Sequence, residues 1–279
     1  MSTQNDQLEK LVETILASSR YKEVSDDLIR DIGSRELAKR SSLKEAVKAA
    51  KSKLHQVGGA YLAERKAYST WLNDLKHLAR FDNRDNLLTY LKMVMSHHAS
   101  TKERLPILEQ FYKTILADLP PIHSVLDIAC GFNPLALPWM PFTHPVEYYS
   151  YDIYKDMIGF LNQFMTLMRV QGQAQVCDVI QSCPTRNVDV AFVLKTISCL
   201  EQVDRSAGSR LLQSINANYI VVSFPVHSLG GKARGMEAHY AAKFRTLVED
   251  STWSIKQFEF ATELAFLITK QEKASVTSG

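Results

Sequence analysis

The run Ser124-Val125-Leu126-Asp127-Ile128-Ala129-Cys130-Gly131-Phe132-Asn133-Pro134-Leu135 constrains this chain more than any other stretch. Val125, Leu126, Ile128 and Ala129 form the apolar core of a strand buried on both faces, as in a parallel sheet. Gly131 follows where the chain must turn, and a glycine lets backbone approach a ligand closely. In open α/β sheets, ligands bind outside the carboxyl ends of the strands. Asp127 adds a carboxylate to the apolar run. The same pattern also fits a buried strand with a capping aspartate, because one glycine is a weaker signal than G-x-G-x-x-G.

Two more acids follow at strand ends. Val146–Asp152 reads as a second strand closing on Asp152, about 20 residues past the glycine turn, where doubly wound folds place a ribose-binding acid. Asp178 ends the short run Ala174-Gln175-Val176-Cys177. Acids in these positions suit a ligand carrying a ribose and an adenine amine.

From Ile122 onward strands and helices alternate, which argues for a parallel sheet with helices on both faces. Val188–Leu194 and Tyr219–Phe224 are the fourth and fifth strands. Ile255–Phe260 and Leu264–Thr269 are close enough to pair as a hairpin. Five βα units closed by an antiparallel hairpin match a class I, Rossmann-like S-adenosylmethionine-dependent methyltransferase fold. Before this region the chain reads as helices only. Leu8, Leu11, Val12, Ile15 and Leu16 recur at helical spacing, and Leu43, Val47, Ala50 and Leu54 mark a second apolar face. Arg40, Lys44, Lys48 and Lys51 recur at i, i+4, i+8, i+11, a basic stripe on that second helix, which Gly58-Gly59 ends. Further helices are expected around Tyr68–Leu78 and Asn86–Met95, and from Pro106 to about Leu119. The domains are thus residues 1–105, helical, and 106–279, Rossmann-like.

Charge divides the same way. Residues 1–105 hold 19 Lys+Arg against 14 Asp+Glu, and the remainder 14 against 16. A positive surface set apart from the nucleotide site is the footprint of a polyanion-binding accessory domain, although a solvated face gives the same stripe. No apolar run is long enough to span a membrane. The N-terminal ten residues lack the apolar stretch of a signal peptide, and Cys130, Cys177, Cys183 and Cys199 show no C-x-x-C spacing. Buried free thiols in a reducing cytoplasm are expected.

Three segments carry a resemblance: His98-Ala99-Ser100-Thr101-Lys102-Glu103-Arg104-Leu105, Leu126–Ala136, and Ser223-Phe224-Pro225-Val226-His227-Ser228-Leu229-Gly230-Gly231-Lys232-Ala233-Arg234-Gly235-Met236-Glu237. With Leu54–Tyr61 they resemble the aminoglycoside-resistance 16S rRNA (guanine(1405)-N7)-methyltransferases over almost the whole chain. The resemblance implies methyl transfer from S-adenosyl-L-methionine to guanine N7 in the decoding region, helix 44, of the 30S subunit. It also implies resistance to drugs such as kanamycin and gentamicin. Arg104 matches the arginine on the cofactor's methionyl carboxylate, a bidentate task. Gly131 matches the glycine beside its amine, Asp152 the ribose acid, and Asp178 with Val179 the adenine pair. His98, Ser100, Ile153 and Lys195 complete the cofactor set. Lys195 matches a lysine of the active-site mouth. Lys232, Arg234 and Met236 match the loop that meets the RNA, with Met236 and Lys195 positioning the target base. Arg40, Lys44, Lys48, Lys51 and His55 are the RNA-binding candidates of the helical domain.

Other chemistries lack their residues. His97-His98 has no Cys, Asp or third His at ligand spacing, so no metal is expected. Cys199 has no preceding proline to suggest a C5-pyrimidine nucleophile. After strand 4, Leu194-Lys195-Thr196-Ile197 replaces the Asn/Asp-Pro-Pro-aromatic motif of adenine-amine methylation. Guanine N7 carries a free lone pair, so its methylation needs alignment and no general base. A non-catalytic rRNA-binding factor, a methyltransferase for a different rRNA base and a nicotinamide oxidoreductase remain alternatives.

Overall fold

The computed structural model describes residues 2–59, 67–80, 84–226 and 236–270. Seven strands form one sheet: β1 (Ser124–Ile128), β2 (Glu147–Asp152), β3 (Gln171–Val176), β4 (Val188–Leu194), β5 (Ala217–Pro225), β6 (Ser254–Glu259) and β7 (Glu263–Thr269). Their order is β3-β2-β1-β4-β5-β7-β6. The first five are parallel, and β7 runs antiparallel between β5 and β6. The order reverses beside β1, which makes the crevice above β1 and β4 the topological switch point. The expected Rossmann-like sheet with its closing hairpin is present. Val190, Ala191, Phe192 and Val193 of β4 are fully buried, as covered parallel strands require.

Helices α1 (Ser2–Leu16), α2 (Asp26–Leu37), α3 (Leu43–Leu54), α4 (Tyr68–Arg80), α5 (Arg84–Met95) and α6 (Ala99–Arg104) precede the sheet. Residues Leu105–Ile107 form a 3-10 turn, and α7 (Leu108–Leu116) leads into β1. Pro106 sits in that turn, so the α-helix starts later than the pattern suggests and ends before Leu119. α8 (Lys155–Leu167), α9 (Ile197–Leu200), α10 (Ala207–Ser214) and α11 (Met236–Val248) are the helices of the sheet region.

The N-terminal helices pack directly on the sheet layer. One apolar cluster includes Leu11, Leu28 and Ala50 from the helices together with Val125, Phe132 and Phe160, so it runs across the 105/106 division. The segment between α1 and α2 adds backbone hydrogen bonds to the loop after β2. Ser25 N–H donates to Ile153 O at 2.8 Å, and Lys155 N–H donates to Glu23 O at 2.8 Å. Val24 and Tyr154 form an isolated antiparallel bridge there. This seam brings the helices to the edge of the crevice.

The basic stripe differs from its expected form. Ser42 caps α3, accepting from Glu45 N–H, so Arg40 lies before the helix and not on it. Arg40 pairs with Glu36 at 3.2 Å. Lys44 and Lys48 are exposed and Lys51 is half-buried on α3 itself. His55 opens a π-helical turn, His55–Gly59, at the helix end. No helix among the described residues is long and apolar enough to cross a membrane.

Candidate cofactor cleft

A cleft lies at the carboxyl ends of β1, β2, β3 and β4, where open α/β sheets bind ligands. Ala129, Asp152, Ile153, Asp178, Val179, Lys195 and Thr196 line it from the sheet side. His98 and Ser100 line it from the start of α6, and Leu28, Val57 and Gly58 from the helical region. Ala129 and Lys195 have φ of 51° and 58°. Left-handed backbone is costly for residues with a side chain, and it concentrates at functional sites because surrounding structure must hold it. Here it falls at the ends of the two strands that flank the switch point.

The acids stand where the strand ends predict. Asp152 is 7% exposed. Its Oδ2 accepts Gly131 N–H at 2.9 Å and its Oδ1 accepts Ile153 N–H at 2.7 Å. The carboxylate therefore fixes the turn after β1 while facing the cleft. Asp178 is 6% exposed. Its Oδ1 accepts Ile180 N–H at 3.0 Å, whereas its buried Oδ2 has no hydrogen-bond donor among the described residues. Burial pushes the Asp178 carboxyl up to about 6, against the Ile180 N–H that lowers it. A buried acceptor without a donor is costly, and a ligand amine would relieve that cost.

Gly131 does not line the cleft. Its φ is +52°, and a Cβ there would stand 2.7 Å from the His98 ring. The glycine's role here is close packing against His98 in a left-handed turn. Burial holds the His98 imidazole down at about 3, with the Arg104 and Lys195 charges adding to the effect. His98 therefore presents a neutral ring to the cleft wall.

Arg104 corrects the expectation most. It is fully buried and absent from the cleft wall. Its Nη2 donates to Glu263 Oε1 at 2.7 Å, its Nε to Glu263 Oε2 at 3.1 Å, and its Nη1 to Asn133 Oδ1 at 3.1 Å. The Phe111 ring lies 4.9 Å below the guanidinium. Among the described residues, the lysine or arginine that lines the cleft is Lys195. Its Nζ donates to Glu103 at 2.8 Å and to Ser100 O at 3.1 Å, and it forms an ion pair with Glu263 at 3.2 Å. Burial raises the Glu263 carboxyl, but Arg104 and Lys195 together pull it net below its ordinary value. Glu263 thus stays charged between two cations.

Asp127 is also away from the cleft. Its Oδ2 accepts Tyr148 Oη at 2.7 Å and Asn133 Nδ2 at 3.0 Å. Asn133 Oδ1 accepts Tyr112 Oη as well as Arg104, so Asp127 and Glu263 anchor the two ends of one buried network. Burial pushes Asp127 up to about 7, although the Tyr148 and Asn133 hydrogen bonds lower it.

Of the cysteines, only Cys130 is fully buried; Cys177, Cys183 and Cys199 are half-buried, and Cys177 and Cys199 line the cleft. Met236 is half-buried and opens α11, with no place in the cleft wall. Lys232 and Arg234 lie outside the described residues. Among the described residues, no group of three His, Cys, Asp or Glu could hold a metal. Leu28, Val57, Thr196, Glu103 and Glu263 are site residues that the sequence reading missed. Glu263 had a signal: an acid opening the otherwise apolar run Leu264–Ile268.

Comparison with known proteins gives one answer. A protein of Frankia casuarinae named 16S rRNA (guanine(1405)-N(7))-methyltransferase is 34% identical over 273 residues, covering 97% of this chain and 96% of that one. One of the same name from Serratia marcescens is 34% identical, covering 92% and 96%. The crystal structure of the 16S rRNA methyltransferase RmtF in complex with S-adenosyl-L-homocysteine superposes with a TM-score of 0.82 at 28% identity, covering 95% of this chain and 98% of that one. The family model described as ribosomal RNA methyltransferase (FmrO) matches residues 17–267, and the chain, with its acid-lined switch-point cleft, belongs to that family.

Proposed function

We propose that this chain transfers a methyl group from S-adenosyl-L-methionine to N7 of guanine 1405 in the 16S rRNA of the 30S subunit, in the decoding region of helix 44. The observation that carries the cofactor reading is Asp178 Oδ2, a buried acceptor on the cleft wall whose donor an adenine amine would supply. Asp152 then meets the ribose hydroxyls. His98, Ser100 and Lys195 surround the amino-acid end. The bound cofactor supplies an electrophilic methyl carbon.

The protein's part in catalysis is alignment. Guanine N7 has its lone pair free at neutral pH, so no side chain must remove a proton. Holding the two reactants in line accounts for roughly 7–11 kcal/mol of barrier reduction in favourable cases. The Lys195 and Ala129 backbones, fixed in left-handed geometry, set the strand ends against which the reacting groups lie. Leu194, Cys199 and Leu200 also line the cleft beside Thr196. In this reading Met236 meets the target base once it has left its stack, a displacement that costs a few kcal/mol.

The helical residues 1–105 serve as the recognition domain for assembled rRNA in the cytoplasm, with Lys44, Lys48 and Lys51 of α3 on phosphates. Changing all three to Glu is expected to abolish 30S binding and leave cofactor affinity unchanged, by filter binding and calorimetry respectively. Single Lys→Ala changes should lower the salt slope of binding by about one unit each. Retained 30S binding in the triple variant makes α3 a solvated face.

Titration of Asp178 gives a second test. Its raised carboxyl is costly to the folded state when ionised, so native stability from this group is present below the ordinary carboxylate value and is lost as pH rises through about 6. An amine donor prefers the ionised acceptor. Affinity for S-adenosylhomocysteine should therefore rise between about pH 5 and 7, with proton release visible in calorimetry across buffers. Asp178→Asn should flatten that profile; a flat wild-type profile contradicts the adenine assignment. The reading as a whole is tested by tritiated methyl transfer to purified 30S subunits, to protein-free 16S rRNA and to 50S subunits. Transfer to 30S alone is expected. Cofactor binding without transfer would make the chain a binding factor.

A further inference from the structure

The two reactants of the proposed transfer are held by different elements. Thr196, Cys199 and Leu200, in and just before α9, line the cofactor cleft. Met236, the residue read as meeting the target base, opens α11. Alignment of the two reactants therefore depends on how α11 is fixed to α9.

Lys243 of α11 makes that connection. It pairs with Glu201, the C-terminal cap of α9, and its Nζ donates to Ser198 Oγ at 3.3 Å. The Lys243 and Glu201 side chains are 26% and 15% exposed, so solvent screens the pair only in part. A third helix makes room for Glu201. A Cβ added to Gly208 of α10 would stand 3.0 Å from Glu201 Oε1, so the glycine leaves the space beside that carboxylate open. Tyr240 fastens α11 to the sheet, its ring stacked on Phe224 of β5 at 4.9 Å. Met236, Tyr240 and Lys243 recur at i, i+4 and i+7, one face of α11. The face that carries Met236 is thus the face tied to β5 and to α9.

We propose that Lys243 is a positioning residue for methyl transfer: its bridge to Glu201 and Ser198 sets Met236, and with it the target base, at a fixed place relative to the cleft. The inference rests on the guanine N7 reading above. Lys243 acts through α11 and touches neither reactant. Its ammonium is committed to acceptors on α9 and its cap, not to phosphate. A reaction that runs by alignment is sensitive to such a link, because a misplacement of about 1 Å can cost about a hundredfold in rate. A shift of α11 leaves Asp152 and Asp178 in place, so cofactor affinity is not part of the expected loss.

The test is single-turnover methyl transfer with 30S subunits and S-adenosylmethionine both saturating. Affinity for 30S by filter binding and for S-adenosylhomocysteine by calorimetry are measured beside it. Lys243→Met keeps most of the stem and removes the charge. It is expected to lower the transfer rate at least about tenfold, with both affinities within about twofold of wild type. Glu201→Gln should give a similar loss, and the double variant no more than the larger single loss, since all three break one link. Lys243→Arg keeps the charge and should retain most of the rate. Glu201→Gln decides the matter if Lys243→Met does not fold. An unchanged rate overturns the proposal. Weaker 30S binding with a smaller salt slope overturns it too, by making Lys243 a phosphate contact. A parallel loss of S-adenosylhomocysteine affinity overturns it in favour of a support for the cleft wall. Wild type that transfers no methyl group to 30S overturns the function reading and this inference with it; the failures above, beside a wild type that does transfer, overturn this inference alone.

Discussion

Arg104→Met is expected to cost about 3–5 kcal/mol of stability in the ligand-free protein, because it strips a buried carboxylate of its main partner. Arg104 and Glu263 are both fully buried and share three hydrogen bonds, of which the shortest is 2.7 Å. Among the described residues, Lys195, at 3.2 Å, is the only other cation paired with Glu263, and it is already shared with Glu103. The loss should lower the melting temperature by roughly 10 °C for a chain of this size. A double variant, Arg104→Met with Glu263→Gln, should recover at least half of it, since the uncompensated charge is then gone. The alternative drawn from the family pattern is a guanidinium reserved for the cofactor's carboxylate. In that case the ligand-free protein melts within about 2 °C of wild type, and the defect shows only in binding.

The second large effect is expected at Asp152. Its carboxylate holds the Gly131 and Ile153 amides and faces the cleft, so Asp152→Ala removes a ribose acceptor and loosens the turn after β1 together. Each hydrogen bond to a charged group contributes about 1.5–3 kcal/mol. Affinity for S-adenosylmethionine should fall at least about tenfold, while circular dichroism shows the fold retained. Asp152→Asn keeps one acceptor oxygen and should fall between. Unchanged affinity in Asp152→Ala removes Asp152 from the ribose position.

The sheet was legible because its strands carry their burial in their residue types. β4 is apolar at nearly every position, and Asp152 ends β2 while Asp178 follows β3, the places where doubly wound folds put ligand-binding acids. The helical region was legible as helices, but α2 went unnamed: its apolar positions Leu28, Ile29 and Ile32 are interleaved with acids and arginines that pair on its outer face. Arg40 was misplaced for a related reason. Periodicity continues through a capping residue, and only Ser42, accepting from Glu45 N–H, marks where the helix starts.

The cleft floor was the least legible part. Arg104 and Glu263 meet across 159 residues of sequence, and no local pattern reports such a pairing. A motif match assigns Arg104 a ligand, whereas the fold assigns it a buried acid first. Asp127 was similar. It shares the strand-end look of Asp152, yet it lies one strand position earlier than the turn and points into the Tyr148–Asn133 network. Val57 and Gly58 reach the cleft only because the Ser25–Ile153 seam draws the helical layer against the loop after β2.

The most direct test of the central claim is the position of the methyl group. After incubation of purified 30S subunits with the protein and S-adenosylmethionine, 16S rRNA is treated with borohydride and aniline, which cleave the strand at N7-methylguanine, and the break is mapped by primer extension. The account predicts one new break, at guanine 1405, absent when Asp152→Ala replaces the wild type. A break at another guanine, or methyl incorporation without any break, would contradict it.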